Sequence, residues 1–132
     1  MKETKSGHIL IIDDEEVIRT LSEKVLTKFG FSVDTASDGH EGIHKYTTAY
    51  QGEQSFDAVV LDLTLSEGPS GLATLERLKA VDASVRAIVC SGYSSDPIVV
   101  DWPKYGFAGA ILKPFRAEEL VRVVKAVVPP PR

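Results

Sequence analysis

Four places in the chain hold residues that could do chemistry together. Asp13 and Asp14 open an acidic run, Asp13-Asp14-Glu15-Glu16, just after an apolar stretch. Asp62 follows the apolar run from Phe56 to Leu61, Ser91 comes soon after a third run, and Lys113-Pro114 follows a fourth. Carboxylates crowded into one pocket repel one another and raise each other's pKa. A divalent cation relieves that repulsion, and all-oxygen ligation with water kept in the shell suits Mg²⁺. A carboxylate beside Mg²⁺ and a lysine ammonium can attack an incoming phosphoryl group and hold it as an aspartyl phosphate. The cation and the ammonium then offset charge on the phosphoryl oxygens, and the Ser91 hydroxyl can hydrogen-bond one of them.

Such chemistry needs a fold that brings these positions together. Ile9-Leu10-Ile11-Ile12 is wholly apolar, the pattern of a strand buried on both faces. A helix follows, with Ile18, Leu21, Val25 and Phe29 near one face and Gly30 to stop it. Phe31 to Thr35 alternates and reads as an edge or half-exposed strand. Asp38 can cap a polar, weakly amphipathic helix running to about Tyr50, and Phe56 to Leu61 is the next strand. Ser66 to Gly71 is a loop by composition, Leu72, Leu75 and Leu78 mark a helix face, and Val85 to Val89 is a strand. Asp96-Pro97 starts a fourth helix, which Pro103 should cut short. Ala108 to Leu112 gives the last strand. Leu120, Val123, Val124 and Val127 stripe a final helix that Pro129-Pro130-Pro131 ends. Five strands alternating with five helices predict an α/β fold with a parallel sheet covered on both faces. In such sheets the binding crevice lies beyond the C-terminal strand ends, where Asp13, Asp14, Asp62, Ser91 and Lys113 all fall.

A length of 132 residues fits one domain, with a core from about 8 to 128, a short polar N-terminal tail and a proline-rich C-terminal tail. Formal net charge is -4, which argues against a nucleic-acid partner. The apolar runs are too short to span a bilayer, and Met1 to His8 carries no signal-peptide core. The single cysteine, Cys90, cannot form an internal disulfide, so a reducing cytoplasm is the expected location.

Taken in order, Asp13-Asp14, Asp62, Ser91-Gly92 and Lys113-Pro114-Phe115 resemble the receiver domain of two-component response regulators. The likeness runs from about His8 to Val128. It implies a doubly wound, flavodoxin-like sheet in the order 2-1-3-4-5. It implies that Asp62 is the phosphoacceptor and that Asp14, Asp62 and the backbone carbonyl of Thr64 ligate Mg²⁺, with Asp13 acting through water. Ser91 and Lys113 would contact the phosphoryl group, and the Lys113-Pro114 bond would be cis. The partner would be a sensor histidine kinase or a histidine phosphotransfer protein, and a dimer through the strand 4–helix 4–strand 5 face is in keeping with the family. Leu61-Asp62-Leu63-Thr64 and Ser91-Gly92-Tyr93-Ser94-Ser95-Asp96-Pro97 are similar to receivers attached to hybrid sensor histidine kinases. One position departs from the pattern. Ala110 stands where the family usually carries an aromatic switch residue, so the switch region of Ser91, Ala110 and Tyr105 would work differently, with Tyr93 or Tyr105 as candidates to substitute.

Plainer roles exist for each residue alone. Glu15 and Glu16 suit a first helical turn, Ser91 a turn, and Lys113 a surface. His40 and His44 have metal-ligand spacing but no third ligand, so a solvated helix face is the reading. Cys90 reads as a small core residue, His8 as a strand edge and Trp102 as packing. Among other functions, a haloacid-dehalogenase-type phosphatase would need a second Asp at position 64, which is Thr. A flavodoxin-type carrier would need a phosphate-cradling first loop, which here is acidic. No P-loop pattern occurs. A pseudo-receiver, folded but not regulated by phosphate, stays open through Ala110. A receiver is a signalling domain that at most catalyses its own phosphorylation and dephosphorylation.

Overall fold

The computed structural model describes residues 7–129. The expected polar tail up to residue 6 and the prolines at 130 and 131 lie outside the described residues. The strands are β1 (Gly7–Ile12), β2 (Phe31–Ala36), β3 (Ala58–Asp62), β4 (Ala87–Ser91) and β5 (Gly109–Leu112). Between and after them come α1 (Glu16–Lys28), α2 (Gly39–Gln51), α3 (Gly71–Val81), a short α4 (Pro97–Val100) and α5 (Ala117–Val127). The sheet order is β2-β1-β3-β4-β5 and every pairing is parallel, as expected.

Alternate residues of each strand face opposite layers. Leu10, Ile12, Val59, Leu61 and Val89 join Leu75 and Leu78 of α3 and Tyr46 of α2 in one apolar cluster. Ile9, Ile11, Val60 and Ile88 join Leu26 of α1 and Leu120, Val121 and Val124 of α5 in the other. Each such buried aliphatic side chain contributes about 1.5–3 kcal/mol. Together they fix the sheet as a rigid floor under the C-terminal strand ends.

Several expectations need correction. On α1 the buried residues are Ser22 and Leu26, whereas Leu21 and Phe29 are exposed. Phe29 sits past the helix as its C-cap, with Lys125 Nζ 5.8 Å above its ring. Phe56 and Val85 are buried but precede their strands, which begin at Ala58 and Ala87. Ser91 is therefore the last residue of β4 rather than a residue beyond it. His8 lies near the start of β1, in register with Ser32 of β2, and its ring stacks on Phe56 at 4.1 Å. The fourth helix is short as anticipated: after Val100 the chain turns into a 3-10 segment, Trp102–Tyr105, containing Pro103.

Glycine permits two close approaches. α2 buries Gly39, Gly42 and Tyr46, and a Cβ at Gly42 would collide with Ile12 of the sheet. At the start of α3, a Cβ on Gly71 would lie 2.6 Å from the Asp62 carbonyl oxygen and 2.7 Å from Leu63 Cα. Both are backbone atoms that cannot rotate aside. Gly71→Ala is expected to cost about 1–3 kcal/mol of stability. Gly92→Ala, with nothing within 4 Å of the new methyl, should leave stability unchanged. Urea unfolding midpoints of the two variants check this, and equal midpoints would contradict the close approach.

Candidate functional site

The site grows from the strand ends. Ile12 and Leu61 are register partners in β1 and β3, so Asp13 and Asp62 stand side by side one step further along. Both are 2% exposed. Asp13 is anchored by its own backbone N–H, which donates to Ala36 O at 3.1 Å, and its carbonyl accepts from the Arg19 guanidinium at 2.8 Å. Asp62 Oδ1 accepts from the backbone N–H of Thr64 at 3.1 Å and from the Thr64 hydroxyl at 3.3 Å. Lys113 follows β5 directly, and its backbone N–H donates to Ser91 O at 2.8 Å. The Lys113-Pro114 peptide is cis.

The Lys113 ammonium reaches across this crevice. Its Nζ lies 2.9 Å from Asp13 Oδ2, 2.8 Å from Glu15 Oε1 and 3.5 Å from Asp62 Oδ2. Burial alone would lower its pKa. Hydrogen bonds to Glu15 and Asp13 and the charges of Asp13 and Asp62 outweigh that, so the ammonium is held charged above its ordinary range. Asp13 is pushed up, chiefly by burial, with the Asp62 charge adding to the effect against the pull of Lys113 and the Glu15 N–H. Asp14 is pulled down, chiefly by the hydroxyl of Ser66, against a smaller cost of burial.

Oxygens of Asp13, Asp14, Glu15 and Asp62 all lie within 4.8 Å of one another. Four carboxylates therefore share one pocket with one ammonium at its edge. An all-oxygen, strongly anionic donor set of this kind fits a hard divalent cation such as Mg²⁺.

Of the residues anticipated from the sequence, Asp13, Asp14, Asp62 and Lys113 come together. Ser91 is fully buried at the adjacent strand end, and its hydroxyl accepts the Tyr93 N–H at 3.0 Å rather than meeting a carboxylate. Ala110 and Tyr105 pack against the α3-side apolar cluster. His40 and His44 are exposed on α2. Cys90 pairs with Asp62 across β3 and β4, and burial pushes its thiol up to about 12.

Two residues were not anticipated. Glu15 is not a first-turn residue of α1 but its N-cap, and its carboxylate turns back to Lys113. Its place next to the Asp pair was the available signal. Ser66 donates both its N–H and its hydroxyl to Asp14 Oδ2, at 3.1 and 2.7 Å. Nothing in a Ser-, Gly- and Pro-rich loop singled it out.

This geometry has relatives. The family model of the response regulator receiver domain matches residues 9–125. The chemotaxis protein CheY of Bacillus subtilis is 33% identical over 117 residues, covering 88% of this chain and 92% of that protein. The CheX–CheY complex of Borrelia burgdorferi, solved with BeF3 and Mg²⁺, superposes with a TM-score of 0.83 at 29% identity, covering 92% of this chain and 88% of that one. The chain also matches NtrX of Brucella abortus, solved with ATP, with a TM-score of 0.81 at 28% identity. There it covers 92% of its own length but only 27% of the larger protein. Among the described residues no helix is long and apolar enough to cross a membrane. A parallel sheet whose strand ends gather these carboxylates around one lysine is thus no coincidence of topology: the chain belongs to the response regulator receiver domain family.

Proposed function

We propose that this chain is the phosphoacceptor of a two-component phosphorelay, with Asp62 as the residue that carries the phosphoryl group. The observation that carries this is Lys113 Nζ set between Asp13 and Asp62, two carboxylates only 2% exposed, within a four-carboxylate cluster. An Asp62 oxygen attacks phosphorus, the O–P bond forms, and the N–P bond to a phosphohistidine breaks, the imidazole leaving with that electron pair and taking a proton from solvent. The donor is a sensor histidine kinase or a histidine phosphotransfer protein. Mg²⁺, when bound, supplies positive charge against the carboxylates and the phosphoryl oxygens. Asp14, Asp62 and the Thr64 carbonyl would hold it, with Asp13 acting through water.

Lys113 is poised for a second task. Its ammonium sits 3.5 Å from Asp62 Oδ2, near enough to turn toward a phosphoryl oxygen once one is present. Ser91 supplies a hydroxyl from the next strand end, whose O–H can donate to that oxygen while its lone pair accepts the Tyr93 N–H. Attack of water on phosphorus later releases phosphate and restores the carboxylate. The chain thereby catalyses only its own phosphorylation and dephosphorylation, as a single receiver domain in the cytoplasm. Added charge at Asp62 shifts a two-state equilibrium and alters a partner-binding face around β4, α4 and β5, where a dimer would also form.

Ala110 favours a second reading. The half-buried alanine has no ring to rotate, so a binding module not regulated by phosphate would keep the fold without the switch. Intact mass after incubation with acetyl phosphate separates the two. A gain of one phosphoryl group that requires Mg²⁺ supports the receiver. An unchanged mass with both acetyl phosphate and a phosphohistidine donor would favour the second reading.

Asp14→Ala removes a charged ligand from the cluster. It is expected to weaken Mg²⁺ binding by at least about tenfold, since even outer partners of a metal site are worth that much. Mg²⁺-dependent thermal stabilisation reads the affinity through mass action. An unchanged affinity would remove Asp14 from the ligand set.

A further inference from the structure

Asp14 is joined to the loop between β3 and α3 by a contact that spans 52 positions of sequence. Both donors of Ser66 reach the same acceptor: the hydroxyl at 2.7 Å and the backbone N–H at 3.1 Å from Asp14 Oδ2. A carboxylate oxygen offers two lone-pair sites, so the two Ser66 donors fill Oδ2. The loop that presents Ser66 is itself fastened at both ends. Thr64 is tied to Asp62 at its start. At its end Ser70 caps α3 by accepting the Ala73 N–H at 3.1 Å, and Gly71 presses on the backbone of Asp62 and Leu63. Ser66 therefore acts from a braced segment, not from a free tip.

We propose that Ser66 is a positioning residue for the cation site: it clamps the Asp14 carboxylate in one orientation before Mg²⁺ arrives. An unclamped aspartate samples several rotamers and loses that freedom on binding the cation. Ser66 removes that loss from the binding step, as outer partners of ligating carboxylates do. The inference rests on the Mg²⁺-dependent receiver reading above.

The test uses the whole chain and Mg²⁺ itself, with affinity measured by titration calorimetry for the wild type, Ser66→Ala and Ser66→Thr. Ser66→Ala deletes the hydroxyl bond and keeps the N–H bond. It should weaken Mg²⁺ binding by about tenfold. Its urea unfolding midpoint in EDTA should fall only slightly, because the contact is exposed and Asp14 keeps the Ser66 N–H bond. Ser66→Thr restores the hydroxyl and should restore the affinity.

Wild-type affinity in Ser66→Ala would overturn the clamp while leaving the receiver reading untouched. So would a loss of affinity that tracks a loss of stability in EDTA and is not rescued by threonine. No Mg²⁺ binding by the wild type would overturn both the clamp and the Mg²⁺-dependent reading beneath it.

Discussion

Asp62→Asn is expected to yield a folded protein that gains no phosphoryl mass from any donor. The substitution keeps the shape of the side chain and one oxygen to accept from the Thr64 N–H and hydroxyl, so the end of β3 stays tied. What it removes is the proposed nucleophile: a carboxamide oxygen is neutral and does not form the acyl phosphate. It also removes one negative charge from a pocket holding four carboxylates, so stability should hold or rise. Intact mass and circular dichroism together check both halves. Phosphorylation of the variant at the wild-type level would place the acceptor elsewhere, with Asp13 and Asp14 the next to be replaced.

Lys113→Ala is expected to show the other large effect, on stability as well as on phosphorylation. With the ammonium gone, Asp13 and Asp62 are left buried and uncompensated, 2% exposed each. Removing one partner of a buried charged pair costs about 3–5 kcal/mol. The lysine side chain is itself 15% exposed and its Glu15 partner is mostly open to solvent, so the lower figure applies, about 3 kcal/mol. Urea unfolding in EDTA reads that loss. Saturating Mg²⁺ should recover part of it, because the cation would supply the missing positive charge. Equal midpoints for variant and wild type in EDTA would show that Lys113 does not balance the pocket.

The raised pKa of Asp13 gives this argument a pH dependence. A group whose pKa is higher folded than unfolded binds its proton more readily in the native state. Its contribution is most favourable below the unfolded value and is lost as pH rises through the folded one. Asp14 runs the other way: its lowered pKa contributes stability above the unfolded value that is lost as pH falls through the folded one. Acid therefore relieves Asp13 while it removes the benefit of Asp14.

Much of this was legible because parallel strands buried on both faces write themselves as apolar runs. Ile9 to Ile12 is such a run and is buried throughout. The same signal misplaced two strand starts. Phe56 and Val85 are buried by side-chain packing without entering a ladder, and hydrophobicity does not separate those two cases. α2 looked weakly amphipathic because its buried face is partly glycine, which a hydrophobic pattern scores as nothing. On α1 a buried serine broke the stripe and drew the face toward the exposed Leu21 and Phe29; the Ser22 hydroxyl makes no hydrogen bond among the described residues. Asp13, Asp62 and Lys113 could be brought together on paper because strand order alone decides where strand ends meet. Glu15 and Ser66 could not, since their roles depend on a side-chain rotamer and the path of a loop.

Cys90 gives the molecule a clock. The residue is 1% exposed, its thiol is pushed up to about 12, and it stands in register with Asp62 on the adjoining strand. A thiol reagent must wait for the helical layer of α1 and α5 to part from the sheet before it can react. Where closing is faster than labelling, the rate of modification counts the fraction of time that parting lasts. Anything that fastens the end of β3, whether a cation held by Asp62 or a phosphoryl group on it, then slows the clock. The occupancy of Asp62 can thus be followed by the chemistry of its silent neighbour.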